Sequence, residues 1–152
     1  MKTDADYMKL AIIEAHKAKL IDEVPVGAII IDDKNKIIGY GHNQPISLND
    51  PCAHAEIMAL RMAAQNLKNY RLLNTTIYVT LEPCVMCMAA IIHARIKRLV
   101  FGAKDPKWGG AGSLYDLGSD TRLNHKIETC EGILESETSS IIKDFFKNKR
   151  SR

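Results

Sequence analysis

The sequence predicts an α/β fold: a three-layer α-β-α sandwich around one mixed five-stranded sheet. Three observations predict it. Segments of helical periodicity alternate with short β-branched strands in the order α-β-β-α-β-α-β-β-α, which calls for helices on both faces of a sheet. The first two strands are joined by the turn Asp32-Asp33-Lys34-Asn35-Lys36, so they pair as a hairpin. The unit formed by strand 76–81, helix 84–94 and strand 98–103 has the length of a right-handed parallel crossover. The 152 residues suit a single domain, 1–152, that buries its own core.

Asp6 to Lys19 reads as the first helix. Met8, Ala11, Ile12 and Ala15 share one face, and Thr3 or Asp4 can cap the start. Val26 to Ile31 is a nearly continuous apolar strand of the kind buried on both faces, and Ile37 to Gly41 returns beside it. Asn43 to Pro51 reads as a loop. Ala53 to Asn66 follows as a helix with Ala55, Met58, Ala59 and Met62 on its apolar face. Thr75 to Val79 is a strand, and the helix after it starts near Pro83, where the missing N–H of proline costs nothing. Arg98 to Ala103 is a further strand. Lys104 to Arg122, with Pro106 and four glycines, is the longest irregular stretch, a length that often carries function. Lys126 to Cys130 reads as an edge strand, and Ser136 to Lys149 as a last helix capped by Ser136.

Composition narrows the class. Hydrophobic residues make up 46% and charged residues 26%, ordinary for a globular protein, and the longest apolar run, Val85 to Ile92, is far short of a membrane span. Two acids in the first six residues and no apolar run behind them argue against a signal peptide, so the expected location is the cytoplasm. There the four cysteines stay reduced, and a Cys-x-x-Cys is a metal or catalytic motif before it is a disulfide. The net charge is only +3, but Lys143, Lys147, Lys149, Arg150 and Arg152 crowd the C-terminal helix and tail, about 136–152. That cluster is either a reach for a phosphate backbone or a solvated end.

The chemistry is concentrated in two stretches. Thr80-Leu81-Glu82-Pro83-Cys84-Val85-Met86-Cys87 sets two thiols where a strand becomes a helix, and the positive helix N-terminus favours thiolates. His54-Ala55-Glu56 opens the preceding helix. His54, Cys84 and Cys87 make a three-ligand set suited to zinc, leaving a fourth position for water as catalytic sites do. Two thiolates balance the charge of Zn²⁺ but acidify its water less than imidazoles would, so a base is needed; Glu56 is the candidate. Residues two apart on a helix lie about 200° apart around its axis. His54 and Glu56 therefore reach one point only if the site lies off the helix N-terminus, and Cys84 and Cys87 only likewise. Two helix N-termini meeting at one metal is the expected geometry.

His-x-Glu followed by Pro-Cys-x-x-Cys is the signature of the zinc deaminases. The likeness extends to Val24 to Ala28, Gly41-His42-Asn43, Ala53 to Arg61, Thr80 to Cys87, Phe101 to Asp105, Gly112-Ser113-Leu114 and Asp144-Phe145-Phe146. Over about residues 6–150 the chain resembles the bacterial tRNA-specific adenosine deaminases, members of the zinc-dependent cytidine/deoxycytidylate deaminase superfamily, whose sandwich is called cytidine deaminase-like. The resemblance implies a hydrolase that converts the wobble adenosine of a tRNA anticodon to inosine, with one Zn²⁺ per chain. It implies that His54, Cys84 and Cys87 hold the zinc, that zinc and Glu56 activate a water for attack on C6, and that Asn43 hydrogen-bonds the base. The backbone carbonyl of Glu82 would accept from the amine, and Lys104, Asp105 and Phe145 would contact the RNA. The implied partners are the tRNA anticodon stem-loop and a second copy in a homodimer, with no membrane; the apolar helix Val85 to Ile92 offers a two-fold interface.

Rival readings each leave something unexplained. A deaminase of a free nucleobase or nucleotide (guanine, cytosine or deoxycytidylate) is the nearest, but a small substrate needs neither the basic tail nor the 104–113 loop. A riboflavin-pathway deaminase would carry a reductase-sized domain. A non-enzymatic zinc module that binds RNA would favour four ligands, and only Cys52 could complete the set. A dithiol oxidoreductase leaves His54 and Glu56 without a role. Trp108 either stacks a base or covers the core. Cys52 and Cys130 read as small buried hydrophobes, and His42, His93 and His125 as structural or surface residues.

Overall fold

Thr3 opens the first helix with a reciprocal cap: its hydroxyl accepts from the Asp6 N–H at 3.3 Å, and the Asp6 carboxylate accepts from the Thr3 N–H at 2.8 Å. In the computed structural model, which describes Met1–Ser151, this helix is α1, Asp4–Leu20. Arg152, counted with the basic tail above, lies outside the described residues. The remaining elements are β1 (Gly27–Ile31), β2 (Ile37–His42), α2 (Pro45–Leu48), α3 (Ala55–Leu67), β3 (Thr76–Leu81), α4 (Val85–His93), β4 (Arg98–Ala103), β5 (Glu128–Cys130) and α5 (Glu135–Arg150).

The five strands form one mixed sheet in the order β2-β1-β3-β4-β5. β1 pairs antiparallel with both β2 and β3, while β3, β4 and β5 run parallel. Strand periodicity then sorts the core into two layers. Ala28, Ile30, Ile77, Val79, Leu99 and Phe101 pack with α3 and α4 on one face. Ile29, Ile31, Tyr78 and Val100 pack with Tyr7, Met8, Ala11 and Ile12 of α1 on the other, where Ile141 of α5 joins them. All five residues of β1 are buried, as its unbroken apolar run requires. The expected three-layer sandwich is the one observed.

Three expectations need correcting. Ser136 does not cap α5: the helix starts one residue earlier, behind Leu134 in the left-handed region at φ 53°, with no side-chain cap. The loop 43–51 contains the short helix α2, which Pro45 begins at its first turn. The edge strand is shorter than read, because Lys126 and Ile127 precede it.

The topology aligns the chemistry. β2 and β3 both run antiparallel to β1, so both point the same way and the helices that follow them, α3 and α4, start at the same end of the sheet. α3 lies flush on β2. A side chain at Gly41 would meet the Ala55 carbonyl at 2.8 Å, so the absence of one lets the first turn of α3 come down beside the strand. At the opposite end, Arg98 grips the Asp4 carboxylate with two bonds of 2.8 and 2.6 Å, and the Tyr78 hydroxyl donates to it at 2.7 Å. The Arg98 guanidinium holds the Asp4 carboxyl below its ordinary value of 3.8, against a smaller opposing effect of burial. A depressed carboxyl stabilises the fold above that ordinary value and ceases to as pH falls through its folded value. Asp4→Asn should therefore lower stability near neutral pH by about 1–2 kcal/mol. In urea denaturation the deficit should shrink when both proteins are compared at acid pH below 3.8.

Candidate metal centre

His54 is not in α3 but at its N-cap, with extended backbone at φ −74° and ψ 156°. Cys84 is the N-cap of α4 in the same conformation, φ −72° and ψ 174°. The periodicity problem posed by His54 and Glu56 is thereby resolved: His54 precedes the helix, so its side chain is free of the helical rotation that governs Glu56 at the second helical position. The His54 Nδ1 lies 3.6 Å from the Cys84 sulfur and 3.4 Å from the Cys87 sulfur. All three ligand atoms fall within 4.8 Å of one another. Cys87 is buried, and His54 and Cys84 are half-buried.

The electrostatics of the cluster favour a cation. The Cys84 thiol is brought down to about 4, chiefly by the hydrogen bond from Cys87 and, against burial, by His54 beside it. Cys87 moves the other way, because it is the donor in that bond and because it is buried. His54 is raised by its bond to Cys84, with burial opposing. Glu56 is 4% exposed, and burial pushes its carboxyl up to about 7. A divalent cation would balance both thiolates. Zinc fits in kind and in size. Its tetrahedral bonds of about 2.1 Å to nitrogen and about 2.3 Å to sulfur set N and S about 3.6 Å apart, the spacing already present here. Cys52 is exposed and outside the cluster, so the described residues offer three ligands from one His and two Cys.

His54, Glu56 and Cys84 line a cavity of about 670 Å³, with Asn43 and Glu82 among its other walls. The Asn43 Oδ1 accepts the Ala55 N–H at 2.8 Å, which caps α3 from outside. With that oxygen committed, the amide NH₂ is the part of Asn43 left for a ligand. The rim comes from the 104–115 segment: Asp105, Lys107, Trp108, Leu114 and Tyr115. Trp108 is 68% exposed, so it does not cover the core.

The other sequence candidates fall in different places. Asp105 is at the rim, where its side chain accepts the Lys107 and Trp108 N–H groups at 3.0 and 3.3 Å. Lys104 is not among the cavity's lining residues; its ammonium pairs with Glu131 at 3.5 Å. Phe145 is also outside the cavity and is 7% exposed, so it is a core residue; Phe146 is the exposed ring of the two. Lys149 of the basic helix pairs with Asp22 at 2.9 Å. Sequence reasoning missed the Glu82 side chain. It is 2% exposed and turned into the 104–115 segment, and a charged residue next to a Pro-Cys motif was the one available hint.

Comparison with known proteins agrees with this geometry. The family described as "Cytidine and deoxycytidylate deaminase zinc-binding region" matches residues 1–103. A tRNA-specific adenosine deaminase of Haemophilus influenzae is 51% identical over 147 residues, covering 97% of this chain and 85% of the relative. Another, from Buchnera aphidicola subsp. Baizongia pistaciae, is 50% identical over 151 residues and covers 97% of this chain and 91% of the relative. A solved structure from work on A-to-I editing by tRNA:A34 deaminases superimposes with a TM-score of 0.85 at 44% identity, covering 89% of this chain and 97% of that one.

Purified protein should hold about one zinc per chain, and Cys87→Ser should lose it; elemental analysis of the two proteins checks this. After chelation, alkylation of Cys84 should persist well below neutral pH. A depressed thiol is ionised above its value, so the rate should fall only as pH drops through about 4, as a pH series with iodoacetamide would read.

Proposed function

We propose that this chain, which belongs to the cytidine and deoxycytidylate deaminase family and within it to the tRNA-specific adenosine deaminases, hydrolyses adenosine to inosine at the wobble position of a tRNA anticodon. The observation that carries the reading is Glu56 buried beside the His54–Cys84–Cys87 cluster in one cavity, in a chain that matches relatives named for this activity along nearly its whole length.

His54, Cys84 and Cys87 would hold zinc, which would supply the Lewis acidity that acidifies a water beside Glu56. Glu56 takes a proton from that water as its oxygen adds to C6, and delivers the proton to N1. It then assists protonation of the amine as the C6–N bond breaks, so adenosine and water become inosine and ammonia. A carboxyl raised by burial to about 7 suits a group that must accept and return a proton near neutral pH. The Asn43 NH₂ donates to the purine, and the Glu82 backbone carbonyl accepts from the departing amine. Asp105 meets RNA at the rim, and exposed Lys104 meets phosphate beyond it. Phe145 drops out of the contacting set for want of an exposed face. An anticodon loop is already unpaired, so extruding the target base costs little.

The whole chain acts as one deaminase domain, in the cytoplasm where tRNA is used. A homodimer suits the half-buried apolar face of α4 formed by Met86, Ala89 and Ala90, with Val85 more exposed beside them.

Inosine measured in total tRNA, set beside turnover of free adenosine, guanine and cytosine, tests the assignment. Conversion of tRNA alone is expected; turnover of a free base with tRNA untouched would replace this reading with the nucleobase deaminase. Glu56→Ala should keep its zinc and its fold while losing about 10²–10⁴-fold in rate. Near-wild-type turnover would remove Glu56 as the proton carrier.

A further inference from the structure

The least expected group beside the site is the Glu82 carboxylate. It is 2% exposed, yet among the described residues no Lys, Arg or His nitrogen lies within 4 Å of it. Its partners are donors of a single segment. Oε1 accepts the Asp105 N–H at 3.1 Å and the Ser113 hydroxyl. Oε2 accepts the N–H groups of Ala111 and Ser113, each at 3.0 Å. One side chain thus ties both ends of the turn from Asp105 to Ser113.

Between those ends, the turn is built against the same carboxylate. A side chain at Gly109 would collide with the Glu82 carboxylate, so that position is kept bare to let the turn close over it. The Gly109 carbonyl accepts the N–H groups of Leu114 and Tyr115, each at 3.0 Å, and the Gly110 N–H donates to the Pro83 carbonyl at 2.8 Å. Pro83 precedes the ligand Cys84, so the turn is fastened to the same backbone that presents the thiolate. What the turn carries outward is Lys107, Trp108, Leu114 and Tyr115, which form one side of the cavity mouth. Trp108 and Tyr115 are 68% and 58% exposed there, large rings held at the surface without cover.

From this geometry we infer that Glu82 is a positioning residue for polynucleotide substrate. Its buried carboxylate fixes the 105–115 turn so that Trp108, Lys107 and Tyr115 form a rigid platform for the nucleotides flanking the target base. The inference rests on the tRNA reading given above. A cation beside stacked bases and a phosphate is the composition such a platform needs, and stacking on exposed rings requires that they be held in place before RNA arrives. A carboxylate is well suited to the task because four donors converge on it, and hydrogen bonds to a charged acceptor are stronger than neutral ones.

Trp108 is the only tryptophan of the chain, so its fluorescence reports on the turn directly. The test compares zinc-loaded, full-length wild type with Glu82→Gln and Ser113→Ala. Three quantities are read: zinc content, Trp108 anisotropy, and kcat and KM on tRNA. In Glu82→Gln the amide NH₂ opposes N–H donors. Trp108 anisotropy should fall, and KM should rise about tenfold, the equivalent of one hydrogen bond to a charged group. Zinc should be unchanged in both variants, and in Ser113→Ala kcat should stay within about threefold. Ser113→Ala removes one donor from outside the core, so it decides the matter even if Glu82→Gln does not fold; it should shift anisotropy and KM the same way by less. Unchanged anisotropy and KM in both variants would overturn the inference. So would a loss of kcat at constant KM in Ser113→Ala, which would make the turn act on the reacting atoms and not on RNA binding. If wild type leaves tRNA unedited while Glu82→Gln still frees Trp108, the positioning role stands and the tRNA assignment alone fails.

Discussion

The approach of His54 Nδ1 to within 3.4 and 3.6 Å of two cysteine sulfurs constrains most of the fold around it. Those atoms come from two segments about thirty residues apart, and neither segment can reach the other from inside a helix. Each presents its first ligand, His54 or Cys84, from an N-cap, where the backbone is extended and the side chain projects beyond the helix end, and Cys87 joins from the first turn of α4. That in turn requires two helices to start side by side, and hence two strands of like direction to deliver them. The antiparallel insertion of β1 between β2 and β3 meets the requirement, since it turns the chain twice and leaves β2 and β3 pointing the same way. The bare face of β2 completes it by letting α3 sit against the sheet from its first turn.

Placing ligands at helix starts also decides the electrostatics. The partial positive charge and unpaired N–H groups of a helix N-terminus favour anions, which suits thiolates and a carboxylate but leaves them without a counter-charge. The Cys84 thiol is lowered and the Cys87 thiol raised, and Glu56 sits in surroundings that disfavour its ionised form. A dication would offset each of these departures. The same burial that makes Glu56 costly to ionise also gives it the affinity for a proton that a two-way carrier needs. Fold stability is secured elsewhere, at the far end of the sheet, where Asp4, Arg98 and Tyr78 tie α1 to β3 and β4 without touching the site.

How much of this was legible in the sequence follows from where the information lies. The zinc ligands and Glu56 were readable because metal chemistry fixes residue types, and helix starts fix their spacing. The sheet was readable because β1 is apolar throughout and β3, α4 and β4 form a crossover of ordinary length. The start of α5 was not, because its boundary is set by Leu134 in a left-handed conformation and not by the serine two residues later that looks like a cap. Phe145 and Phe146 are adjacent and alike in composition; only packing tells which is buried. The partners of Glu82 are mostly backbone N–H groups 23 to 31 residues away, and a backbone donor leaves no mark on the sequence.

The six residues from Leu81 to Met86 accordingly do more than carry a metal motif. Leu81 ends a strand and lines the cavity, Glu82 holds the turn at its mouth, and the Pro83 carbonyl anchors that turn at Gly110, while Cys84 faces the metal site. Any shift of this strand end moves the ligand and the rim together. On the function proposed above, the base at the metal and the nucleotides at the rim are read by one piece of backbone. The Glu82 carboxylate adds four hydrogen bonds to the backbone bridge between Cys84 and Gly109 that joins the rim to this strand end. A small free base would need the ligands and Glu56 but would leave Lys107, Trp108 and Tyr115 idle, whereas a polynucleotide extending past the cavity mouth meets all of them.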